Sequence, residues 1–279
     1  MNDRQHGFAL LIVLMTTAFL ALLGTQLVAA ARSDTRLADN LKQEAVLEAA
    51  ADGAVANVMF AMQAARDPQF QADGTVRTLR IGNTAVSVRV ENETDRVNLN
   101  TASAALLRAL MVQVGAAPAL AERLSVAILD WRTAGANARD GGSKAPQYRA
   151  AGLSYAPPGT PFQSLDELAD VLGMTPALFE RLAPHLTVFT DGDPDLATRD
   201  PVVSRALTDA AGVVDDTLRS QDTGDTILRI VATAASPDGA RLSIMVVASA
   251  EFQTASPQVN VLLRQRLIAP RTGATPADN

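Results

Sequence analysis

The sequence predicts an α+β fold in which one long N-terminal helix packs on an antiparallel sheet, and an all-helical domain is inserted into the sheet domain. Three observations support this prediction. Residues 8–31 are uncharged and continue into a helical apolar pattern. Strand-like alternation of apolar and polar residues occurs on both sides of the middle of the chain, whereas residues 99–186 have helical periodicity. A helix followed by antiparallel strands is typical of a helix laid on a sheet.

The uncharged run 8–31 follows a polar leader, residues 1–7, and predicts a transmembrane helix. At about 1.5 Å per residue the run would be roughly 36 Å long, enough to cross a hydrocarbon core of roughly 30 Å. Two alternatives stay open. Ala29-Ala30-Ala31 resembles a signal-peptidase site, although the apolar part of a signal peptide is only about 7 to 15 residues long. An uncleaved N-terminal anchor is the other alternative.

The helical pattern continues as an amphipathic half beyond the apolar run. Apolar residues recur at steps of three or four between Leu37 and Met62, and Asp67-Pro68 ends the pattern because proline disfavours helical conformation in the residue before it. One helix from Phe8 to about Arg66 would be roughly 90 Å long. Two helices broken near Asp34 are the alternative.

Two strands are predicted before the inserted domain and three after it. Thr75–Ile81 and Ala85–Val90 flank Gly82-Asn83 and predict a hairpin. A meander with its first turn at Pro237-Asp238-Gly239 is predicted from three later strands. These strands are Thr226–Ala235, Arg241–Phe252 and Val259–Ile268. The tail, residues 269–279, is rich in Pro, Thr and Ala, and we expect it to be disordered.

The inserted region begins with two helices in succession. Asn100 or Thr101 can cap a first helix that ends near Val114, and Ala119–Trp131 forms the second. A loop region from Gly135 to Pro161 follows. Further helices are predicted at three places: after the capping box Ser164–Glu167, at Pro176–Leu182, and from Pro201 to about Leu218.

The first two helices resemble helix-hairpin-helix modules, whose DNA-binding members begin with a segment similar to residues 97–102. Those members hold phosphate with a G-x-G turn, but here the turn is Val114-Gly115-Ala116-Ala117 and the second glycine is missing. The net charge of −6 also disfavours nucleic-acid binding. We therefore predict no nucleic-acid partner, and the alternative function is a membrane-anchored periplasmic DNA-binding or DNA-uptake protein.

The residues that catalysis needs are scarce, so we predict that the protein is not an enzyme and has no catalytic residues. The sequence contains no cysteine, which excludes disulfides and thiolate metal sites, and it contains no P-loop, GxSxG or HExxH motif. If the leader is removed, His185 is the sole histidine. Its position between Pro184 and Leu186 favours a packed element end over a catalytic base.

We predict no cofactor and no metal site, with calcium at an acidic loop as the alternative. Asp191, Asp193 and Asp195 alternate as at the start of an EF-hand loop. However, Leu196 stands where that loop needs glycine and Val202 stands where it needs a bidentate acid, which excludes an EF-hand. A solvated acidic loop is the preferred interpretation.

The leader resembles the class III leaders of type IV pilins and type II secretion pseudopilins. In these families a prepilin peptidase cuts after a glycine and methylates the new N-terminal phenylalanine. The resemblance therefore implies cleavage between Gly7 and Phe8 and N-methylation of Phe8. Most pilins have glutamate at the fifth mature position, where this chain has Ile12. The large minor pseudopilin of the K class also lacks this glutamate.

The middle of the chain resembles the same K class of the type II secretion system. The matching segments are Asn98–Thr101, Asp130-Trp131, Tyr148, Tyr155, Ser164–Leu168 and Leu186–Val188. Family members bind calcium through loop carboxylates of the insert. This chain departs from them, because it has Arg132-Thr133 where a further aspartate is usual and Gly141-Gly142-Ser143 near the position of a Gly-Ala-Glu.

The resemblance implies a pseudopilin fold and a division of the chain into six segments. These are a cleaved leader 1–7, a transmembrane helix 8–31, pseudopilin parts 32–98 and 190–268, a helical insert 99–189 and a tail 269–279. The globular part would be periplasmic, on a single-pass inner-membrane anchor with a cytoplasmic N-terminus.

The implied function is to cap the tip of the secretion pseudopilus and initiate its assembly, for export of folded proteins from the periplasm across the outer membrane. The implied partners are the I-class and J-class minor pseudopilins, the major pseudopilin, the prepilin peptidase, the inner-membrane assembly platform, membrane lipid and, beyond the cap, the secretin.

Overall fold

The computed structural model describes residues 3–63, 70–211, 225–251 and 258–267, and within the first helix it describes the side chains of 13–22 and 37–61. The α-helices of this part are α1 Asp3–Gln63, α2 Ala104–Gln113, α3 Pro118–Arg132, α4 Ala145–Ala150, α5 Pro176–Leu182 and α6 Pro201–Ala210. Its strands are β1 Asp73–Ile81, β2 Thr84–Asn92, β3 Val97–Asn98, β4 Leu186–Thr187, β5 Asp225–Ala235, β6 Arg241–Glu251 and β7 Gln258–Leu267. The fold is α+β with an antiparallel sheet, as predicted.

Helix α1 is a single helix of 61 residues, so the alternative of a break near Asp34 is wrong. The helix begins at Asp3, before Phe8, and at about 1.5 Å per residue it is roughly 90 Å long. In the described part of the chain, we find no helix with the length and apolar character that a membrane span requires. The transmembrane assignment of residues 8–31 stays a prediction.

The main sheet has five strands in the order β1-β2-β5-β6-β7, all antiparallel. Strand β2 pairs with β5 through partners such as Val88 and Ala232, so the strands before and after the helical region are direct neighbours. The predicted turns are confirmed, because Gly82 and Gly239 have φ of 56° and 95° and close the β1–β2 and β5–β6 hairpins. The predicted ends at Phe252 and Ile268, and the tail, lie outside the described residues.

The C-terminal part of α1 packs on one face of this sheet. Side chains alternate along β2, with Val86, Val88 and Val90 buried against the helix. We call the resulting cluster the sheet core. Its buried members are Leu47, Ala50, Ala51, Ala54, Val55, Val58, Ala61, Phe70, Val86, Val88, Val90, Leu228, Ile230, Ala232, Ala234, Leu242, Ile244, Val246 and Ala248.

Helices α2 to α6 surround a second hydrophobic cluster, which we call the insert core. Its buried members are Val97, Leu99, Ala102, Leu106, Leu107, Leu110, Met111, Ala116, Ala121, Leu124, Ala127, Ile128, Trp131, Tyr148, Phe162, Leu168, Val171, Leu178, Leu182, Leu186, Val203, Ala206 and Ala210. The predicted domain boundaries stay predictions, but two separate cores are observed.

Three details of the helical region differ from the prediction. Helix α2 is capped by Ser103, whose side chain accepts from the Leu106 amide, and not by Asn100 or Thr101. Helix α4 lies inside the region predicted as loop. The capping box at Ser164 is confirmed, but it begins a 3-10 helix, Leu165–Asp170, in place of an α-helix. The predicted extension of α6 to Leu218 passes beyond the residues that the structure describes.

Candidate functional site

Helices α2 to α5 lie between two short strands, β3 and β4, whose pairing forms a narrow neck; α6, which also packs in the insert core, follows the neck in the chain. There β3 and β4 form a two-residue parallel pair, with Val97 opposite Leu186 and Asn98 opposite Thr187. The Leu99 amide extends the pairing by donating to the Thr187 carbonyl at 2.9 Å. Because both ends of the segment that contains α2 to α5 lie at this pair, contacts that fix the neck also fix these helices.

A fully buried carboxylate, Glu93, stands between the sheet and this neck. Arg229 of β5 holds it with two bonds, from Nε to Oε2 at 2.8 Å and from Nη2 to Oε1 at 2.7 Å. Arg96 donates from Nη1 to Oε2 at 3.2 Å. Removing one partner of a buried ion pair strongly destabilises a protein, because the other charge is then buried without compensation.

Arg96 carries the same network into the insert. Its Nε donates to the carbonyl oxygen of Pro184 at 2.8 Å, and its Nη2 also bonds to Glu91. Arg96 has 10% of its side chain exposed, and its planar guanidinium can make these bonds in fixed directions. The ion network therefore joins β2, β5 and the last turn of the insert.

The face of the sheet opposite α1 and the insert enclose a cleft of about 580 Å³. The sheet contributes Arg89 and Met245, and the insert contributes Leu165 and Phe179. The cleft's charged residues include Glu91, Arg96 and Arg229, which are already paired within the network above. The cleft therefore offers a surface of mixed polarity and is not organised around a reactive side chain.

The Asn-Leu-Asn-Thr segment acts as an internal brace. Asn100 bonds twice to the backbone of Phe162, from its Nδ2 to the carbonyl at 3.0 Å and from the Phe162 amide to its Oδ1 at 2.7 Å. Asn98, only 1% exposed, bonds through Nδ2 to the Thr190 carbonyl and accepts from the Asn100 amide. These asparagines connect segments that are distant in sequence, a structural role that the sequence pattern did not show.

Three aromatic side chains pack at the end of α3. Trp131 stacks on Phe162 with ring centroids 5.8 Å apart and contacts Tyr148 at 6.3 Å. The Tyr148 hydroxyl accepts a bond from the Leu172 amide at 2.8 Å, and burial raises the pKa of Tyr148 to about 12. Tyr148 is therefore a neutral packing residue.

Asp130, adjacent to Trp131, is buried and fully bonded. Its Oδ1 accepts from Arg139 Nη1 at 2.6 Å, and its Oδ2 accepts from the amides of Arg139 at 3.1 Å and Ser143 at 3.0 Å. Lys144, 4% exposed, donates to the carbonyl oxygens of Asp130 and Thr133. The loop around Asp130 thus places two cationic side chains, those of Arg139 and Lys144, against Asp130.

The three aspartates of the acidic loop do not form a common site. Asp191 and Asp195 are exposed, whereas Asp193 is partly buried and accepts from the Thr101 hydroxyl at 3.4 Å. Burial raises the pKa of Asp193 to about 6. Asp195 Oδ1 instead accepts from the Ala197 amide. Across the described residues, no group of three or more His, Asp or Glu side chains is placed to hold a metal ion.

The hairpin between α2 and α3 uses its amides internally. The Gly115 amide donates to the Val112 carbonyl, and the Ala116 amide donates to the Met111 carbonyl, both at 2.9 Å. Gly115 has φ of 89°, so this turn closes the end of α2 in a left-handed conformation. Amides engaged in this way cannot also bind a phosphate.

His185 pairs with Asp200 at the exit of the insert. Its Nδ1 contacts Asp200 Oδ2, and Asp200 Oδ1 also accepts from the amides of Val202 and Val203 at the start of α6. Burial raises the pKa of Asp200, but these bonds outweigh that effect and lower it. The pair links two element ends, as the packing interpretation of His185 expected.

The backbone is helical at Gly7, Phe8 and Ile12, and their side chains lie outside the described part of α1. Cleavage after Gly7, methylation of Phe8 and the role of Ile12 therefore stay predictions.

Comparison with known proteins agrees with this arrangement. Residues 76–191 match the family model of type II secretion system protein K. Within these residues the chain resembles the type II secretion system protein K family. The matched region contains most of the first hairpin, the neck and the insert through α5. It includes Glu93 and Arg96 of the ion network, whereas Arg229 lies outside it.

A structural match extends beyond this region. One chain of the crystal structure of the GspK-GspI-GspJ complex from enterotoxigenic Escherichia coli type 2 secretion system aligns with a TM-score of 0.60 and 15% sequence identity. The alignment covers 84% of the present chain and 99% of that chain. At this identity the match shows a shared fold. A search of curated protein sequences gives no significant match.

Proposed function

We propose that this chain is the minor pseudopilin that caps the tip of the type II secretion pseudopilus and initiates its assembly. The observation that carries the proposal is the combination of a pilin-like helix on a sheet with a large helical insert braced rigidly to that sheet. In this proposal the sheet and α1 provide the filament subunit, and the insert provides the cap.

The exposed side chains of α1 support the filament role. Between Val13 and Leu22 this helix presents large apolar side chains on its surface, each 56–71% exposed. They are Val13, Leu14, Met15, Phe19, Leu20 and Leu22. Such an apolar surface needs lipid or the helices of other subunits. We infer that it lies in the inner membrane before assembly and among neighbouring α1 helices afterwards, with the globular part in the periplasm.

The insert supports the cap role by its size and its attachment. It has its own core of more than twenty buried residues, and the ion network of Glu93 holds its neck against the sheet. A body of this size on one subunit would obstruct further subunits, which suits the end of a filament. The fold shared with a chain of the GspK-GspI-GspJ complex supports I-class and J-class minor pseudopilins as neighbours.

Ile12 supplies the sharpest test of the tip position. A tip subunit has no neighbour above it, so a carboxylate at position 12 would meet no N-terminal amine. An unpaired acid is costly in an apolar bundle. We expect Ile12→Glu to leave exoprotein release unchanged or to impair it, and not to improve pseudopilus assembly. Ile12→Gln is the matched control, since it adds a polar group without charge.

The measurement is pseudopilus length and exoprotein release in cells that carry each variant, with co-purification of the I-class and J-class proteins. Mass spectrometry of the mature N-terminus, expected to begin with methylated Phe8, verifies processing; Gly7→Val should block it. Longer pseudopili with the Ile12→Glu protein distributed along the shaft would contradict the tip position, because an internal subunit would gain the missing amine partner.

A further inference from the structure

We propose that the Lys144 ammonium group, assisted by Arg139, is a built-in cation that takes the place of a bound metal ion in the 130–144 loop. The insert of this chain would then fold and remain stable without calcium. This inference does not depend on the tip-capping proposal, because it concerns how the loop itself is held.

The first step in the argument is the coordination of the ammonium group. Lys144 Nζ donates to the carbonyl oxygen of Asp130 at 2.5 Å and to that of Thr133. Both carbonyls belong to the end of α3, and Lys144 itself precedes α4. A positive charge bound to backbone carbonyls from one side of a loop and attached covalently to the other side performs the bridging that a bound cation would perform.

The second step is that both oxygens of the nearby carboxylate are already engaged by the loop. Both oxygens of Asp130 accept bonds from the Arg139 side chain, the Arg139 amide and the Ser143 amide. Asp130 is 1% exposed. A calcium ion needs about six to eight oxygen ligands, so this loop would have to release both Arg139 and Lys144 to bind one.

The third step is the tight packing of the loop around Asp130. A Cβ atom placed on Gly142 would lie 2.1 Å from Asp130 Oδ2 and 3.0 Å from Val126 Cγ1. The backbone of residue 142 therefore approaches the carboxylate as closely as glycine permits. The space beside Asp130 is filled by the loop itself and its two cationic side chains.

The choice of lysine fits this role. The chain has only two lysines, Lys42 and Lys144, and the rest of its 24 lysine and arginine residues are arginines. An ammonium group is a compact point charge with three donors, and it suits a set of converging carbonyl oxygens better than a planar guanidinium does. The second lysine, Lys42, is exposed on α1 and provides a matched control.

The test uses the full chain in detergent micelles, with unfolding followed by the fluorescence of its single tryptophan, Trp131, which adjoins the loop. We expect the same Tm in excess EDTA and in excess CaCl2. A bound calcium at a hundredfold excess over its Kd would instead raise the Tm by roughly 5–10 °C for a chain of this size. A shift of that kind, or about one calcium per chain by metal analysis, would overturn the proposal.

The lysine variants test the other half of the proposal. Lys144→Met leaves two buried carbonyls without their donor and should lower the Tm by roughly 5–10 °C, with no recovery in CaCl2. Lys42→Met should leave the Tm unchanged. Equal Tm values for the two variants, or recovery of Lys144→Met by calcium, would contradict the built-in cation.

If Lys144→Met does not fold, amine labelling of the native wild-type chain still decides the question. We expect a water-soluble acylating reagent to modify Lys42 and to leave Lys144 unmodified, equally in EDTA and in CaCl2. Modification of Lys144 at the rate of Lys42 would show that its ammonium group is not held by the carbonyls.

Discussion

The sheet core and the insert core both contain alanine, valine and leucine, but the aromatic side chains are concentrated in the insert core. The sheet core uses small aliphatic residues where α1 meets the sheet, such as Ala51 and Ala54, which are fully buried. The insert core uses large residues such as Trp131, Tyr148 and Phe162, and polar braces surround it. Small residues permit α1 to pack closely on the sheet. Large aromatic residues and polar braces instead hold the short helices of the insert in place.

The two halves also differ in how they are built and held. The sheet and α1 form a simple layered unit of one helix on a sheet. The insert is held at its neck by charges that are expensive to bury unless each is paired. A connection of this kind holds the insert in a fixed position relative to the sheet.

The largest expected effect comes from cutting the connection between the two cores. Glu93→Ala would leave Arg229 and Arg96 without their buried carboxylate and should lower the free energy of unfolding by about 3–5 kcal/mol. Chemical denaturation followed by Trp131 fluorescence measures it. Glu48→Ala, at an exposed ion pair with Arg264, is the control and should cost no more than about 1 kcal/mol. If both variants lower the free energy of unfolding by the same amount, the ion network does not hold the neck.

A smaller effect should come from the contact between α1 and the sheet. Ala54→Leu adds volume at a position with no exposed surface and should cost about 1–3 kcal/mol through overpacking. Chemical denaturation followed by circular dichroism measures the decrease in the free energy of unfolding. Ala56→Leu, at an exposed position of the same helix, is the control. A neutral Ala54→Leu variant would show that the sheet core is looser than the small side chains indicate.

The smallest effect concerns Asp193 at the edge of the insert. Burial raises its pKa to about 6, so its contribution to stability decreases as pH rises from about 4 to about 6. Asp193→Asn should remove this pH dependence and raise the Tm at pH 7.5 relative to the wild type. Asp195→Asn, at an exposed aspartate, is the control. A lower Tm for Asp193→Asn at pH 7.5 would indicate that the charged form is stabilised, as a cation ligand would be.

Local sequence patterns were sufficient for the individual strands and hairpin turns of the sheet, but not for the pairing of β2 with β5. Alternation in β2 and the glycine turns at 82 and 239 depend on neighbouring residues, and the structure confirms them. The insert was harder to predict because its irregular segments depend on distant partners. Asn100 bonds to Phe162, Arg96 bonds to Pro184, and neither pair could be identified from spacing alone.

The sequence of the insert nevertheless contains local signals for two helix starts that we missed. Ser103 is a residue type that commonly caps helices, and it lies directly before the first residue of α2. Asn100 and Thr101, which we assigned as the cap, lie too far from this start. Pro146 is a signal for a helix start that we did not use inside the presumed loop, since proline is favoured in the first turn of a helix. The role of Lys144 itself becomes visible only when Asp130 and Thr133 are seen beside it.

The position of the subunit in the pseudopilus tests the central claim most directly. The chain has no cysteine, so Arg149→Cys places a single label on an exposed residue of the insert. Gold-labelled maleimide and electron microscopy then locate the subunit on sheared pseudopili, with a labelled major pseudopilin as the control for shaft labelling. The account predicts label at one end of each filament. Label at intervals along the shaft would contradict it.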